Sequence, residues 1–426
     1  MNEITKVPGV RVLQRLMVAI ALACGPGAHA DLERAKPGDT GMTQAGLDAL
    51  NSAMHKLVDD KQLSGVITAV ARHGKLVNFD VYGQRSVEEK LPMTPDTIFR
   101  IYSMTKPIIG VGLMALHEEG KFRLEDPVEK YLPQFRGLKV AAGDGEDGMP
   151  ILEPARHPMT IRELVSHTGG LTYGFFSRSQ VDTLYQRANV LDRDSTLAEM
   201  VDKLGKIPLR QQPGSAWHYS VSVDVQGRLI EVLAGEPLDT FLQKRIFTPL
   251  GMKDTAFWVP ADKADRFARI YNRNLQSTPN GDDYLTRPAF LSGGGGLVAT
   301  TTDYLRFAQM VLNEGALEGV RVLKPATVRL MRTNQLPDSI AQINPRIGNP
   351  GNTFGIDFAI VEKPDGKISH KRARSEIWWY GVGGTWMGIN PEQGTVIVGM
   401  IQSRGGASRE ARLTSKRLMY EAIVEK

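Results

Sequence analysis

A serine and a lysine separated by two residues raise the first chemical question in this sequence. The stretch IYSMTKPI, residues 101–108, contains Ser103 and Lys106. Pro107 is tolerated only in the first turn of a helix, and the apolar run that continues to Gly120 predicts a buried helix with Ser103 at its N-terminus. The pair is either a nucleophile with its activating amine or a helix cap beside a lysine that reaches solvent. The local sequence favours neither.

The nucleophilic interpretation depends on the proton affinity of the lysine. Residues three apart share one face of a helix, which brings the amine of Lys106 close to the hydroxyl of Ser103. The positive end of the helix dipole disfavours an ammonium there, and burial lowers the pKa of a lysine further. A neutral amine can accept the serine proton near neutral pH. Ser103 and Lys106 are therefore the candidate nucleophile and base.

Segments with the patterns of strands lie at both ends of the chain. Residues 43–61 predict a helix capped by Thr43 or a neighbour, and residues 409–426 predict a helix at the other end. Alternating and β-branched stretches predict two strands joined by a turn at His73-Gly74, and three strands near the C-terminus. The five predicted strands cover residues 65–74, 75–83, 354–362, 376–390 and 395–403.

The middle of the chain has mainly helical periodicity, interrupted by loops rich in Gly and Pro. Candidate helices lie at 159–166, after Ser195 and at 223–234. One sheet built from both chain ends, with a helical lobe inserted, is the economical arrangement. The sequence thus predicts an α/β fold with the site in the crevice between two parts, a sheet domain of residues 31–106 and 286–426 and a helical domain of residues 107–285.

The first 30 residues have the pattern of an export signal. A basic start precedes an apolar run at residues 16–23, and the small-residue pattern Ala28-His29-Ala30 follows. The run is shorter than the roughly 20 residues that a membrane span needs. We expect cleavage near Ala30 and a periplasmic or secreted protein without a stable membrane span. Lipidation at Cys24 is the lesser alternative, because Ala21 stands where such sites usually carry Leu.

Composition excludes several classes of function. The chain has 426 residues, of which 42% are hydrophobic and 23% charged, as in ordinary globular proteins. Its formal net charge of +5 is spread along the sequence and gives no reason to expect a nucleic-acid partner. Cys24 is the only cysteine, so a mature chain would have no disulfides and no thiol catalysis. No His-Glu-x-x-His or comparable cluster appears, and we expect neither a metal nor a cofactor.

Several separated stretches resemble one known group of enzymes. DTIFRIYSMTKPIIGVGLMALHEEGKFRLEDPVEKYLPQF, residues 96–135, is similar to the opening of the serine β-lactamase-like superfamily. This superfamily includes class C β-lactamases, DD-peptidases and family VIII carboxylesterases. The resemblance covers most of the chain from about residue 40 and implies an antiparallel sheet flanked by N- and C-terminal helices, with an inserted, mainly helical lobe. The other matching stretches, in order, are TIRELVSHTGGL (160–171), PGSAWHYS (213–220), TPLGMKDTAFWVP (248–260) and GGGGLVATTTDYLRFAQMVLNEG (293–315).

The resemblance implies roles for individual residues. Ser103 would be the acylated nucleophile and Lys106 its base or proton shuttle. Tyr219 in HYS would be the tyrosine of the second motif, which hydrogen-bonds the serine and lysine and returns a proton to the leaving group. His167 could be imagined in a Ser-His-Asp triad, but SHTGGL matches a structural turn of the superfamily, so we interpret His167 as a residue that holds a loop.

The third motif of the superfamily lies on the strand beside the cleft, and Trp379-Tyr380-Gly381 takes its place. Gly381 would let the strand approach the substrate closely. The backbone N–H of Val382 would pair with that of Ser103 to form the oxyanion hole. The aromatic residues that we expect to line the acyl pocket are Tyr173, Phe176, Phe175, Trp217 and Trp378.

Two departures from the usual motifs suggest the substrate class. Val221 stands where β-lactamases and DD-peptidases usually have Asn, and Trp379-Tyr380-Gly381 replaces their Lys-Thr-Gly. An apolar aromatic fits a neutral ester better than an anionic β-lactam, and Trp-x-Gly is similar to family VIII esterases. The resemblance therefore implies a serine hydrolase that cleaves small short-chain esters through an acyl-enzyme, with weak β-lactam hydrolysis as an accessory activity. The alternatives are a β-lactamase or D-amino-acid-specific peptidase, and a non-catalytic acylated sensor.

Overall fold

A computed structural model of the protein describes Met1 and residues 32–146, 148–278 and 284–424. The predicted export signal, residues 1–30, lies outside the described residues apart from Met1, and its cleavage stays a prediction. Among the residues that the structure describes, no helix is long and apolar enough to cross a bilayer.

The strands are short except for the first two, which form the N-terminal hairpin. Most of the longer strands lie near the two ends of the chain. They are β1 Gly65–Arg72, β2 Lys75–Ser86, β3 Leu91–Pro92, β4 Phe99–Arg100, β5 Lys139–Asp144, β6 Pro150–Pro154, β7 Val298–Ala299, β8 Ala316–Leu317, β9 Val320–Arg321, β10 Asn352–Phe354, β11 Ala359–Val361, β12 Ile377–Tyr380, β13 Trp386–Asn390 and β14 Thr395–Met400.

The helices occupy the ends and the middle of the chain. They are α1 Gln44–Asp59, α2 Thr105–Glu118, α3 Ile161–Val165, α4 Gln180–Arg187, α5 Leu197–Leu204, α6 Ser222–Ala234, α7 Leu238–Leu242, α8 Thr248–Leu250, α9 Thr301–Leu312, α10 Pro325–Met331 and α11 Ala407–Glu421. Shorter 3-10 turns lie at Pro37–Thr40, Tyr102–Met104, Val128–Lys130, Pro133–Phe135, Ala261–Arg266 and Lys371–Ala373, and a π-helical turn lies at Gln243–Phe247.

The two chain ends meet in one antiparallel sheet. Its strand order is β10-β11-β12-β13-β14-β1-β2-β3. β1 lies between β14 and β2, and its residue Ile67 is opposite Met400 on one side and Val81 on the other. The expected sheet from both termini is confirmed, because the N-terminal hairpin completes a sheet whose other half comes from the last quarter of the chain.

Two of the predicted strands need correction, since each is a hairpin rather than one strand. Within residues 354–362, the chain reverses between β10 and β11, where Asp357 has a φ of +59°. Within residues 376–390, the N–H of Gly381 donates to the carbonyl of Thr385 at 2.8 Å and closes a tight turn between β12 and β13. Apolar residues continue through both reversals, so the sequence pattern does not mark them.

The helices cover the sheet and build the rest of the core. α1 is capped by the Thr43 side chain, as predicted, and packs against β1, β2 and α11. α9 packs against β13 and β14. α2 is buried from Thr105 to Leu116 and packs against α6 and α7. The predicted fold class, a large antiparallel sheet with flanking helices and a helical lobe, is confirmed; the domain boundaries at 31, 107 and 286 stay a prediction.

Candidate active site

The chain turns sharply just before Ser103. The residue ahead of it, Tyr102, has a φ of +44°, which is unusual for a bulky side chain and marks local strain of the kind found at functional sites. The 3-10 turn Tyr102–Met104 then runs directly into α2. The end of β12 lies against this turn, because a Cβ on Gly381 would lie 2.4 Å from the carbonyl oxygen of Ile101. Only glycine permits that approach.

Lys106 lies in the first turn of α2 with no exposed surface. Its Nζ is 3.2 Å from the Oγ of Ser103 and 2.8 Å from the hydroxyl of Tyr173, and it donates to the carbonyl of Gly294 at 2.5 Å. The carbonyl can only accept a hydrogen bond, whereas either hydroxyl can also donate to a neutral amine. The arrangement therefore suits both the charged and the neutral lysine.

The environment of Lys106 makes the neutral form accessible. Burial lowers the pKa of Lys106 to about 8, and the nearby carboxylates of Asp224 and Asp357 oppose that change. A lysine in water titrates near 10.4, so a much larger neutral fraction is present here at neutral pH. This is the property that a base for Ser103 needs.

Tyr219 lies over the serine and lysine, as the second-motif resemblance predicts. Tyr219 lines the same cavity as Ser103, and its ring centroid is 4.7 Å from the Nζ of Lys106. The indole Nε1 of Trp379 donates to the Tyr219 hydroxyl at 3.3 Å. Burial raises the pKa of Tyr219, so the phenol stays protonated and can pass a proton between partners.

Tyr173 is hydrogen-bonded to Lys106, whereas the sequence predicted it only as a residue of the pocket wall. Its hydroxyl accepts a hydrogen bond from the amine of Lys106, and its ring centroid is 5.3 Å from that of Tyr219. Burial raises the pKa of Tyr173 well above that of a free tyrosine. Tyr173 does line the cavity, but the aromatic composition of LTYGFF gave no sign that one hydroxyl would reach Lys106, which is 67 positions earlier.

The predicted third motif supports Tyr219 and forms one edge of the site. Trp379 is buried, with its ring against Tyr219, and Tyr380 donates its hydroxyl proton to the carbonyl of Ile347 at 3.1 Å. Neither side chain is among those that line the cavity in the described part of the chain. Their predicted contact with substrate stays a prediction; the observed contact of Trp379 is with Tyr219.

Val382 follows Gly381 in the turn between β12 and β13. It is 60% exposed and lies in the wall of the same cavity as Ser103. Among the described residues, no oxygen accepts a hydrogen bond from its backbone N–H. The N–H is thus free to serve an oxyanion, and the pairing of Val382 with Ser103 in an oxyanion hole stays a prediction.

A cavity of about 470 Å³ opens over Ser103, and its walls are mainly aromatic. Phe175 and Phe176 form the outer wall and are 60% and 51% exposed. Two of the expected wall residues lie elsewhere: Trp217 stacks on Tyr219, and the indole of Trp378 donates to Asn352. The lining residues include Tyr102, Tyr173, Phe175, Phe176, Tyr219, Phe257, Tyr284, Phe290, Val382, Arg193 and Arg404.

His167 is not placed to act as the base. It is buried with a φ of +57°, and its Nδ1 is 3.1 Å from the hydroxyl of Ser220. Its ring packs against Trp217, Tyr219 and other aromatic side chains. Burial lowers the pKa of His167 well below its ordinary value, so the ring is neutral. These contacts agree with a histidine that holds its loop.

Two buried acids near Lys106 were not anticipated. Asp224 lies in the first turn of α6 and Asp357 in the turn between β10 and β11, and both side chains are fully buried. An acidic residue in a first helical turn ordinarily complements the helix dipole, which is why Asp224 attracted no attention in the sequence. In the described residues, no three His, Cys, Asp or Glu side chains form a group that could hold a metal ion.

The fold and the site indicate a serine enzyme of the β-lactamase type. The chain belongs to the Beta-lactamase family, whose sequence profile matches residues 50–420. An uncharacterized protein from Mycobacterium tuberculosis is 35% identical over 367 residues, which is 84% of this chain and 90% of that protein.

Relatives with assigned activities are esterases and acyltransferases. Esterase EstB from Burkholderia gladioli is 28% identical over 362 residues, 79% of this chain and 86% of that protein. The solved structure of EstCE1, described as a hydrolase with promiscuous acyltransferase activity, superposes with a TM-score of 0.73 at 25% identity, over 88% of this chain and 99% of that one. Simvastatin synthase (LovD) from Aspergillus terreus, at 23% identity and a TM-score of 0.75, covers 89% of this chain and 98% of its own and shows the same fold. These relatives support a serine hydrolase or acyltransferase.

Proposed function

We propose that this protein is a serine carboxylesterase that hydrolyses short-chain carboxylic esters through an acyl-enzyme. The observation that carries the proposal is the hydrogen bond between Lys106 and Ser103, with Tyr219 beside the amine, at the base of an aromatic cavity. A buried amine with a pKa of about 8 beside a serine hydroxyl is the arrangement that activates such a nucleophile.

In the proposed acylation, the Oγ of Ser103 forms a bond to the ester carbonyl carbon while its proton passes to neutral Lys106. The carbonyl π electrons move to the oxygen, which the N–H groups of Ser103 and Val382 would hold. The intermediate then collapses, the bond to the alcohol oxygen breaks, and the proton travels from Lys106 through Tyr219 to that oxygen. In deacylation, water attacks the acyl carbonyl, gives a proton to the same pair, and Ser103 leaves as the protonated alcohol.

The walls of the cavity support neutral, compact substrates. Phe175, Phe176 and Tyr219 offer apolar surface to an acyl or alcohol group. The third motif has no cation where Lys-Thr-Gly would place one, and the two arginines of the lining lie over tyrosine rings. A cavity of about 470 Å³ accommodates a small ester. A β-lactamase or D-amino-acid-specific peptidase remains the alternative on this scaffold, and an acylated sensor is the non-enzymatic one.

Acyl transfer to an alcohol is a second candidate function. The aromatic lining favours an apolar alcohol over water at the acyl-enzyme, and EstB-like and acyltransferase relatives occur together, among them acyltransferase calJ from Penicillium decumbens at 28% identity. The partition of one acyl-enzyme between water and added alcohol measures this directly. If the ratio of newly formed ester to free acid stays constant as the alcohol concentration rises, the result would argue against acyl transfer.

A steady-state assay tests the esterase proposal. p-Nitrophenyl butyrate should turn over quickly, a chromogenic cephalosporin much more slowly, and Ser103→Ala should turn over neither. Preferential turnover of the cephalosporin would favour the β-lactamase alternative. A stoichiometric burst without turnover on either compound would indicate a sensor.

We also propose that the protein is exported and that residues 1–30 are removed. Expression of the full chain in a Gram-negative host, followed by N-terminal sequencing of the periplasmic fraction, should give a start at or near Asp31. A cytoplasmic protein that retains Met1 would contradict this proposal.

A further inference from the structure

The mechanism above leaves one fully buried acid beside the catalytic amine without a role. Asp224, in the first turn of α6, carries no exposed surface and forms part of the wall of the catalytic cavity. It does not receive a hydrogen bond from Lys106, whose Nζ contacts Ser103, Tyr173 and Gly294 instead. A buried carboxylate that is stabilised by so few partners needs a reason to be there.

Asp224 is connected to Lys106 through a single glycine. Its Oδ1 accepts hydrogen bonds from the hydroxyl of Ser292 at 2.5 Å and from the N–H of Gly294 at 2.9 Å. The carbonyl of that same Gly294 accepts the hydrogen bond from the Nζ of Lys106 at 2.5 Å. A Cβ on Gly294 would lie 2.4 Å from the Oδ2 of Asp224, so the carboxylate and this loop are packed as closely as glycine allows.

We propose that Asp224 is a positioning residue for catalysis: it supplies the counter-charge for Lys106 and, through Ser292 and Gly294, fixes the carbonyl that orients the amine. The inference rests on the proposed function, in which Lys106 takes the proton of Ser103. Burial alone would make the amine neutral but too weak a base, and a nearby anion restores part of its proton affinity.

The other groups that face Lys106 provide less charge. Tyr173 and Tyr219 stay protonated because burial raises their pKa values, and His167 is neutral. Burial raises the pKa of Asp357 to about 8, and among the described side chains only Gln226 donates a hydrogen bond to it. Burial raises the pKa of Asp224 as well, but Lys106 and the two donors, Ser292 and Gly294, oppose that rise and favour the charged carboxylate.

The isosteric change Asp224→Asn separates charge from geometry. The amide oxygen can still accept from Ser292 and Gly294, while the negative charge is lost. Removing the anion should lower the pKa of Lys106, so the rising limb of the pH profile should move to lower pH by about one unit. Asp357→Asn should move the limb in the same direction by less. Asp224→Ala should also lose the hold on Gly294 and react more slowly than Asp224→Asn at every pH.

The rate of serine labelling by diethyl p-nitrophenyl phosphate reports on Ser103 without needing ester turnover. The Oγ of Ser103 forms a bond to phosphorus, p-nitrophenolate leaves with the electron pair of its P–O bond, and the serine proton goes to Lys106. The labelling rate is measured against pH for the wild type and the three variants. Asp303→Asn is the matched control, because Asp303 is a buried acid on α9 that accepts from Asp254 and Thr255.

The expected result is a rising limb that moves to lower pH in Asp224→Asn and keeps its position on the pH axis in Asp303→Asn. An unmoved limb in Asp224→Asn would overturn the inference, even with a slower rate, because a purely structural role lowers the rate without shifting the limb. If Asp224→Asn does not fold, the limb of Asp224→Ala, which also removes the anion, decides. Labelling without ester turnover would remove the proposed function but leave this inference standing, whereas a wild type that is not labelled would overturn both.

Discussion

Two buried lysines in this protein show how the same burial can serve different ends. Lys106 and Lys416 have 0% and 7% of their surface exposed, and burial lowers the pKa of each. Lys416, on α11, forms an ion pair with Glu376, which also accepts from the hydroxyl of Tyr420 at 2.5 Å. In the described part of the chain, the hydrogen-bond partners of the Lys106 amine are hydroxyls and a carbonyl.

The two lysines differ in the groups that they contact rather than in how deeply they are buried. A carboxylate in direct contact holds the proton on Lys416 and fastens α11 to the residue that precedes β12. The carboxylates near Lys106 act without contact, which leaves the amine able to exchange a proton with Ser103. One lysine is therefore expected to matter for stability and the other for reactivity.

The largest effect should come from Lys106→Met. The substitution replaces the amine with an apolar side chain of similar length, and kcat/KM for p-nitrophenyl butyrate should fall about 1000-fold or more, since the members of such a catalytic unit act together. The urea midpoint should fall less than in a variant that breaks a direct ion pair, because Asp224 and Asp357 are not in contact with the amine and keep their own hydrogen-bond donors. A loss of less than tenfold would mean that another group is the base.

Lys416→Met should give the opposite pattern. It leaves Glu376 buried without its partner, and the free energy of unfolding should fall by about 3–5 kcal/mol in equilibrium urea denaturation. The kcat/KM of the folded protein should stay within about twofold. The double variant Glu376→Gln/Lys416→Met should recover much of the stability, and failure to do so would show that the pair is not the source of the loss.

The pH profile should distinguish the two lysines again. Because Lys106 must be neutral to accept the serine proton, kcat/KM should rise about tenfold per pH unit below its pKa and level off near pH 8. Lys416→Met should leave this limb in place. A profile that is flat between pH 6 and 9 would contradict the assignment of Lys106 as the base.

A smaller effect is expected from the neighbouring tryptophans of β12. Trp379→Phe removes the donor to the Tyr219 hydroxyl and should lower kcat about tenfold, equivalent to about 1.4 kcal/mol. Trp378→Phe is the matched control, since its indole donates to Asn352 at 2.8 Å, away from the cavity. Trp378→Phe should reduce stability and leave kcat unchanged. If both variants lose kcat equally, Trp379 has no specific role in the mechanism.

The central helix could be predicted from local patterns, and its chemistry from the resemblance of several separated stretches to one superfamily. Pro107 marks a first turn, and the apolar run after it requires burial, so Ser103 and Lys106 had to meet near the start of α2. The role of Tyr219 was predicted from the resemblance of the short motif HYS, which lies in one of several matching stretches that follow the order of the superfamily. The structure brings Ser103, Lys106 and Tyr219 together.

The polar surroundings of Lys106 could not be predicted in the same way. FGIDF has the pattern of one strand, whereas Asp357 in fact lies in a left-handed turn and reaches the core. Lys416 lies in a charged stretch of α11, where a solvated side chain is the ordinary expectation. Such burial depends on which elements pack together, and that information is spread over hundreds of positions.

The most direct test of the account is to find the acyl group. The wild-type protein is mixed with p-nitrophenyl butyrate, quenched in acid during turnover and analysed by intact-protein and peptide mass spectrometry. We predict one butyryl group per chain, located on Ser103, and none in Ser103→Ala. Hydrolysis without any covalent adduct at the earliest quench, or an adduct on another residue that persists in Ser103→Ala, would contradict it.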